Sequence, residues 1–221
     1  NYFTENVGFY GNTSPGELLK KYGSPLYVYN EKILRQRCRE MASLVSYPYF
    51  KSNFSIKANS NIELLKIIRS EGLYADAMSP GEIYVLLKAG FSAEEIFYIP
   101  NNVSEEEMEF AIERGIVTSV DSLSQLRQFG KLNPGGKVAI RFNPGIGAGH
   151  HEKVVTGGKK TKFGINPEYV NDVKRILKEY NLKLTGINQH IGSLFMEPEP
   201  FIESTKYILD IAEQFEDLDF I

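Results

Sequence analysis

Apolar and polar positions along this chain alternate between two rhythms. Short apolar runs give way to stretches whose apolar positions recur at helical spacing, and the alternation holds over almost the whole length. Ser14-Pro15-Gly16-Glu17 offers a capping serine, a proline at the first helical position and a glutamate one turn on. This predicts a helix from about Ser14 to Tyr22, ended by Gly23. Leu26–Tyr29 is expected to be a strand and Glu31–Val45 a helix. Further strands are expected at Phe54–Lys57, Tyr74–Ala77, Ile96–Ile99, Val117–Val120, Lys137–Phe142 and Leu184–Ile191. Helices are expected at Asn61–Glu71, from Ser79-Pro80-Gly81-Glu82 to Gly90, after Ser104 with Glu107, and at Ser122–Gly130, Asn166–Tyr180 and Pro198–Phe215. A polar, Gly-rich loop fills Asn143 to about Gly164, and Phe220-Ile221 begins one more strand.

The repeating unit is strand-then-helix, which implies a parallel sheet with right-handed crossovers. From Phe54 onward the pattern gives six strands and the start of a seventh. An eight-stranded barrel of this kind takes about 250 residues, and this chain has 221. The expected fold is therefore α/β, a (β/α)8 TIM-type barrel that stops after about seven strands. Neither Gly-x-Gly-x-x-Gly after an early strand nor Gly-x-x-x-x-Gly-Lys-Ser/Thr is present, which argues against dinucleotide and P-loop nucleotide sites.

Composition narrows the partners. A net charge of −3 gives no electrostatic footprint for nucleic acid. No apolar run is long enough to span a bilayer, so no membrane partner is expected. The lone cysteine, Cys38, cannot form an internal disulfide; it reads as inert packing in a reducing, cytoplasmic compartment. Three histidines and one cysteine, with no histidine close to the cysteine, predict no metal site. The chain begins at Asn1 rather than Met and stops inside a strand, and it is expected to be part of a longer protein.

In barrels of this type functional groups stand at the C-terminal ends of strands. Those ends carry Lys57 with Ala58 and Asn59; Asp76 and Ser79 with Glu82 a turn on; Arg141 and Asn143; and Asn188, Gln189, His190 and Ser193. Lysine, aspartate, arginine and histidine together suit amine or carbonyl chemistry, because a lysine withdrawn from bulk water can form a Schiff base. Each residue also has a plainer use. Lys57 can be a solvated strand end, Asp76 and Ser79 turn and cap residues, Arg141 an ion-pair partner, His190 a bonded core histidine, and His150 and His151 solvated loop residues. The run Gly145 to Gly149 can be a lid or a phosphate cradle, although no helix start follows it directly.

Taken together, the segments resemble a known family. Ser55-Ile56-Lys57-Ala58-Asn59-Ser60-Asn61 is similar to the lysine signature of the alanine-racemase-like (fold type III) pyridoxal-phosphate decarboxylases, with Phe54 at a position usually aromatic. Asp76-Ala77-Met78-Ser79-Pro80-Gly81-Glu82 resembles their Asp-x-x-Ser-x-Gly-Glu segment. Arg141-Phe142-Asn143-Pro144, Thr156-Gly157 with Lys162-Phe163-Gly164, and His190-Ile191-Gly192-Ser193 match further blocks in order and spacing. The loop is most similar to members acting on meso-2,6-diaminopimelate, which yield L-lysine and carbon dioxide.

The resemblance implies that pyridoxal 5'-phosphate is the cofactor and Lys57 its covalent anchor and a carrier of the proton for the α-carbon. It implies that His190 stacks on the cofactor ring as a second catalytic residue. Asp76, Glu82 and Arg141 would surround the lysine and ring, Ala58 would touch the cofactor, and Ser193 would lie by the phosphate. Asn143, His151, Thr156, Gly157 and Lys162 would border the substrate entrance. It also implies a homodimer with shared sites and a small amino-acid substrate. Residues 1–30 would be an N-terminal segment giving a strand to a β-domain, and 31–221 an incomplete cofactor-binding barrel. The family's Gly-rich phosphate loop, its Glu for the pyridine nitrogen, its substrate-binding Arg and Tyr and the C-terminal β-domain would follow Ile221. Alternatives are decarboxylation of ornithine, arginine or carboxynorspermidine, a non-catalytic cofactor-binding barrel, and a cofactor-free Schiff-base aldolase.

Overall fold

Polar caps written into the sequence set where the helices begin. In the computed structural model, which describes residues 7–145, 162–192 and 197–221, α1 spans Pro15–Tyr22 and opens on a reciprocal box. The Glu17 amide donates to Ser14 Oγ at 3.2 Å and the Ser14 amide donates to Glu17 Oε2 at 2.9 Å. Asn30 caps α2 (Glu31–Ala42), Asn61 caps α3 (Ile62–Ser70) and Ser79 caps α4 (Pro80–Ala89). Ser104 caps α5 (Glu105–Ile112) and Ser122 caps α6 (Leu123–Leu132). Helix α7 (Val170–Glu179) follows a 3-10 turn at Pro167–Tyr169, and α8 is Glu199–Ala212.

The strands are β1 (Asn53–Ser55), β2 (Tyr74–Ala77), β3 (Ile96–Tyr98), β4 (Val117–Val120), β5 (Lys137–Arg141) and β6 (Lys183–Asn188). They form one parallel sheet in chain order. A parallel bridge from Gly186 to Phe220 sets the expected next strand beside β6. Strand alternation splits the side chains into two sets. Ala75, Ala77, Ile96, Tyr98, Val120, Val138, Ile140 and Ile187 pack against the helices in two adjoining cores. Ser55, Asp76, Phe97, Ser119, Ala139, Gly186 and Arg141 take the opposite, inner face. Ser119 Oγ donates to Asn188 Oδ1 at 2.6 Å, linking β4 to β6 across β5.

Several expectations need correction; besides those that follow, β6 ends at Asn188 rather than Ile191 and α8 at Ala212 rather than Phe215. Leu26–Tyr29 is not a strand: no described strand pairs with it, and a strand without a partner has no ladder for its amides. The segment is instead pinned by Asn59 Nδ2, which donates to the Tyr29 hydroxyl at 2.8 Å. The first barrel strand ends at Ser55, and Ile56–Ala58 turns into a 3-10 helix, so Lys57 sits just past the strand rather than on it. The second helix stops at Ala42, short of Val45.

Helix α2 is tied to the barrel electrostatically. Arg35 and Arg39 reach Glu71, at the end of α3, at 2.7 and 2.6 Å. These bonds pull the Glu71 carboxyl from 4.5 to about 2. A depressed carboxyl stabilises the fold fully above its unfolded pKa and loses that contribution as pH falls through its folded value. The protein is therefore expected to lose part of its thermal stability between pH 4.5 and about 2. Glu71→Gln, less stable than the parent at pH 7, should converge with it across that window. Parallel melting curves of the two proteins down to pH 2 would refute the role.

Candidate active site

The functional groups expected from the sequence gather where the parallel strands end. The turn after β1 is anchored by buried Ile56 and leaves Lys57 and Ala58 exposed at the mouth. Asp76 stands on the inner face of β2, where Ser55 Oγ donates to its Oδ1 at 2.9 Å. Burial pushes the Asp76 carboxyl up, and nearby Glu82 adds to this; the Ser55 bond and the charge of Lys57 oppose it. Asp76 is thus a structured partner for the lysine, not a turn residue. Ser79 does serve as a cap, since its Oγ accepts the Glu82 amide at 3.2 Å. The Glu82 carboxylate accepts the Met78 amide at 2.6 Å, which holds it at the head of α4.

Arg141 ends β5 and is only 7% exposed. Its guanidinium lies 5.1 Å from the centre of the Phe163 ring. Burial lowers its pKa, and the carboxylate of Asp121 opposes the shift. His190, half-buried beyond β6, is held below the ordinary histidine value by burial, then by the positive charges of Arg141 and Lys57. Its imidazole is accordingly neutral at pH 7. Lys57, Asp76, Glu82, Arg141 and His190, drawn from four places in the sequence, form one electrostatic cluster.

The base of the long loop is built by a strand-like contact. Phe142 bridges Ile165; the Asn143 amide donates to the Ile165 carbonyl and the Ile165 amide to the Arg141 carbonyl, both at 2.9 Å. Gly164 makes this approach feasible. Its φ is +80°, and a Cβ there would fall 2.8 Å from the Asn143 backbone nitrogen. Asn143 is 2% exposed, and its amide group joins the two ends of the loop, donating to Asn166 at 3.1 Å and accepting from Gly145 at 3.0 Å. It therefore shapes the loop base from inside instead of facing the entrance. Lys162 is exposed, its ammonium 5.2 Å from the Phe163 ring centre. His150, His151, Thr156, Gly157 and Ser193 lie outside the described residues, as does the run from Ile146 to Gly149.

One cluster member was missed from the sequence. Asp121 directly follows β4, is 9% exposed, and accepts a 2.6 Å bond from Asn101 Nδ2. Its burial raises its pKa, while Arg141, Asn101 and Lys162 pull it back. The available signal was its place at a strand end, the same rule that singled out Lys57 and Arg141. An Asp before a capping serine is so common in turns that it drew no notice.

The donor set fits a pyridoxal-type group. An exposed primary amine is open to an aldehyde, the exposed Ala58 beside it takes little room, and a neutral imidazole offers a flat ring surface. A carboxylate and a guanidinium complete the surroundings.

Comparison with known proteins agrees with this geometry. The family model described as "Pyridoxal-dependent decarboxylase, pyridoxal binding domain" matches residues 31–220. Among curated relatives, the diaminopimelate decarboxylase of Methanothermobacter thermautotrophicus is 40% identical over 205 residues, covering 91% of this chain and 48% of that protein. That of Archaeoglobus fulgidus is 34% identical over 211 residues, covering 91% and 49%. The crystal structure of diaminopimelate decarboxylase from Helicobacter pylori complexed with L-lysine superposes with a TM-score of 0.83 at 28% identity, covering 91% of this chain and 52% of that one. The chain thus spans about half the length of the curated relatives it matches.

Proposed function

The chain belongs to the pyridoxal-dependent decarboxylases, and we propose that the complete protein releases carbon dioxide from meso-2,6-diaminopimelate to form L-lysine. The observation carrying this is the convergence of Lys57, Asp76, Arg141 and His190 at the strand ends of a parallel sheet. The choice of substrate is supported by relatives of that name at up to 40% identity.

Pyridoxal phosphate, when bound, supplies a sink for the electron pair left as carbon dioxide departs. Lys57 would hold it, and its Nζ would carry a proton to the α-carbon. Asp76, whose carboxyl is pushed toward the protonated form, lies within electrostatic reach of Lys57 as the group that would supply its amine with a fresh proton. His190, uncharged, would cover one face of the ring and exclude water. Arg141 supplies fixed positive charge from the inner face, and Glu82 is held in place by the Met78 amide. Ala58 would leave space for the cofactor and Ser193 would lie by its phosphate. His151, Thr156, Gly157 and Lys162 would border the entrance. Residues 1–30 are taken as an N-terminal segment and residues 31–221 as the cofactor-binding barrel.

The complete protein is assigned as a cytoplasmic homodimer with shared sites. The buried, unbonded Cys38 suits a reducing compartment, and no described helix is long and apolar enough to cross a membrane. The test is carbon dioxide release by the complete protein from meso-diaminopimelate, ornithine, arginine and carboxynorspermidine. Selectivity for diaminopimelate of about 100-fold or more is expected. Preference for another amine would reassign the substrate, and no release from any would leave a cofactor-binding barrel.

A further inference from the structure

A buried guanidinium needs a compensating charge, since its desolvation otherwise costs several kcal/mol. Among the described residues, Arg141 closes no direct ion pair. The register supplies what the contacts do not. Ser119 aligns with Ala139 and Val120 with Ile140, so the next step brings Asp121 opposite Arg141 at neighbouring strand ends. Parallel strands keep aligned residues on one face, and both side chains are buried. Asp121 is itself restrained from two sides. Asn101, arriving from the end of β3, donates to Oδ2 at 2.6 Å. The Asp121 backbone amide is held by Gln125 Oε1 at 3.0 Å.

We propose that Asp121, oriented by Asn101, is the through-space counter-ion that keeps the Arg141 guanidinium in position on the inner face of the sheet. Asp121 is a positioning residue: it acts on Arg141 and has no contact of its own with the reacting group. Phe163 packs against the guanidinium as a second restraint, and Arg141 in turn bears on His190. The importance of the device for catalysis rests on the decarboxylase reading, but its electrostatics do not.

The experiment follows the Arg141 side-chain Nε–H by 15N-edited exchange in the complete, cofactor-free protein, alongside the dissociation constant for pyridoxal phosphate. Asp121→Asn is expected to speed that exchange about tenfold and weaken cofactor binding severalfold. Asn101→Ala, which changes no charge, should produce a smaller effect of the same sign, and Asp121→Glu should recover part of the loss. Exchange unchanged in a folded Asp121→Asn protein would overturn the proposal. If that variant does not fold, unchanged exchange in Asn101→Ala overturns it equally. Absence of cofactor binding by the parent protein would sink the decarboxylase reading while leaving the exchange result to decide this one.

Discussion

Replacing Lys57 with alanine is expected to lower decarboxylation by the complete protein on the order of 10⁴-fold or more. Lys57 lies exposed after β1, in the turn that Ile56 anchors, with Asp76 close enough for their charges to interact. In the proposed function its amine serves as nucleophile, anchor and proton carrier in turn. Borohydride reduction followed by peptide mapping should place a pyridoxyl group on Lys57 in the parent and none in the variant. Lys57→Arg should be as inactive, since charge without a nucleophilic amine does not substitute. The two variants separate in their effect on His190. Lys57 lowers the His190 pKa through its charge, so alanine should raise that pKa while arginine largely preserves it. An adduct on another lysine, or turnover retained by Lys57→Ala, would remove the central assignment.

The second large effect is expected at Gly164. A side chain there meets two penalties. The left-handed backbone costs about 1–2 kcal/mol for an L-residue, and a Cβ would press to 2.8 and 2.9 Å on the backbone of Asn143 and Phe142. Gly164→Ala should therefore lose about 3 kcal/mol of stability by denaturant titration. The loss includes the pairing of Ile165 with the Arg141 carbonyl, so cofactor affinity should fall with it. Gly145→Ala is the matched control: its φ is +70° but no described residue lies within 4 Å of the added Cβ, so only about 1 kcal/mol should be lost. Equal losses at the two glycines would show that the close approach behind Gly164 does not constrain the fold.

Much of this architecture was legible because its determinants are local. Ser14, Ser79, Ser104 and Ser122 announce helix starts by residue type alone, and each caps the helix it precedes. Where an element depends on a partner, local pattern misleads. Leu26–Tyr29 has the apolar content of a strand but no described neighbour to pair with. Lys57 appeared to continue an alternating strand, yet the chain tightens one residue earlier, where Ile56 is drawn under the turn. Asn143, expected at the border of the substrate entrance, is buried at the loop's base, where it bonds Asn166 and Gly145.

The sequence by itself determined the order and type of the repeating elements, the helix caps, and the lysine-bearing segment that marks the family. Periodicity, capping chemistry and motif spacing all act over a few residues. Only the tertiary structure decided which side chains share the inner face, that Asp76 is bonded by Ser55 from the neighbouring strand, and that Asp121 and Arg141 come close enough for their charges to interact. Those relations depend on strand register and on burial, which turns separate charges into one interacting set.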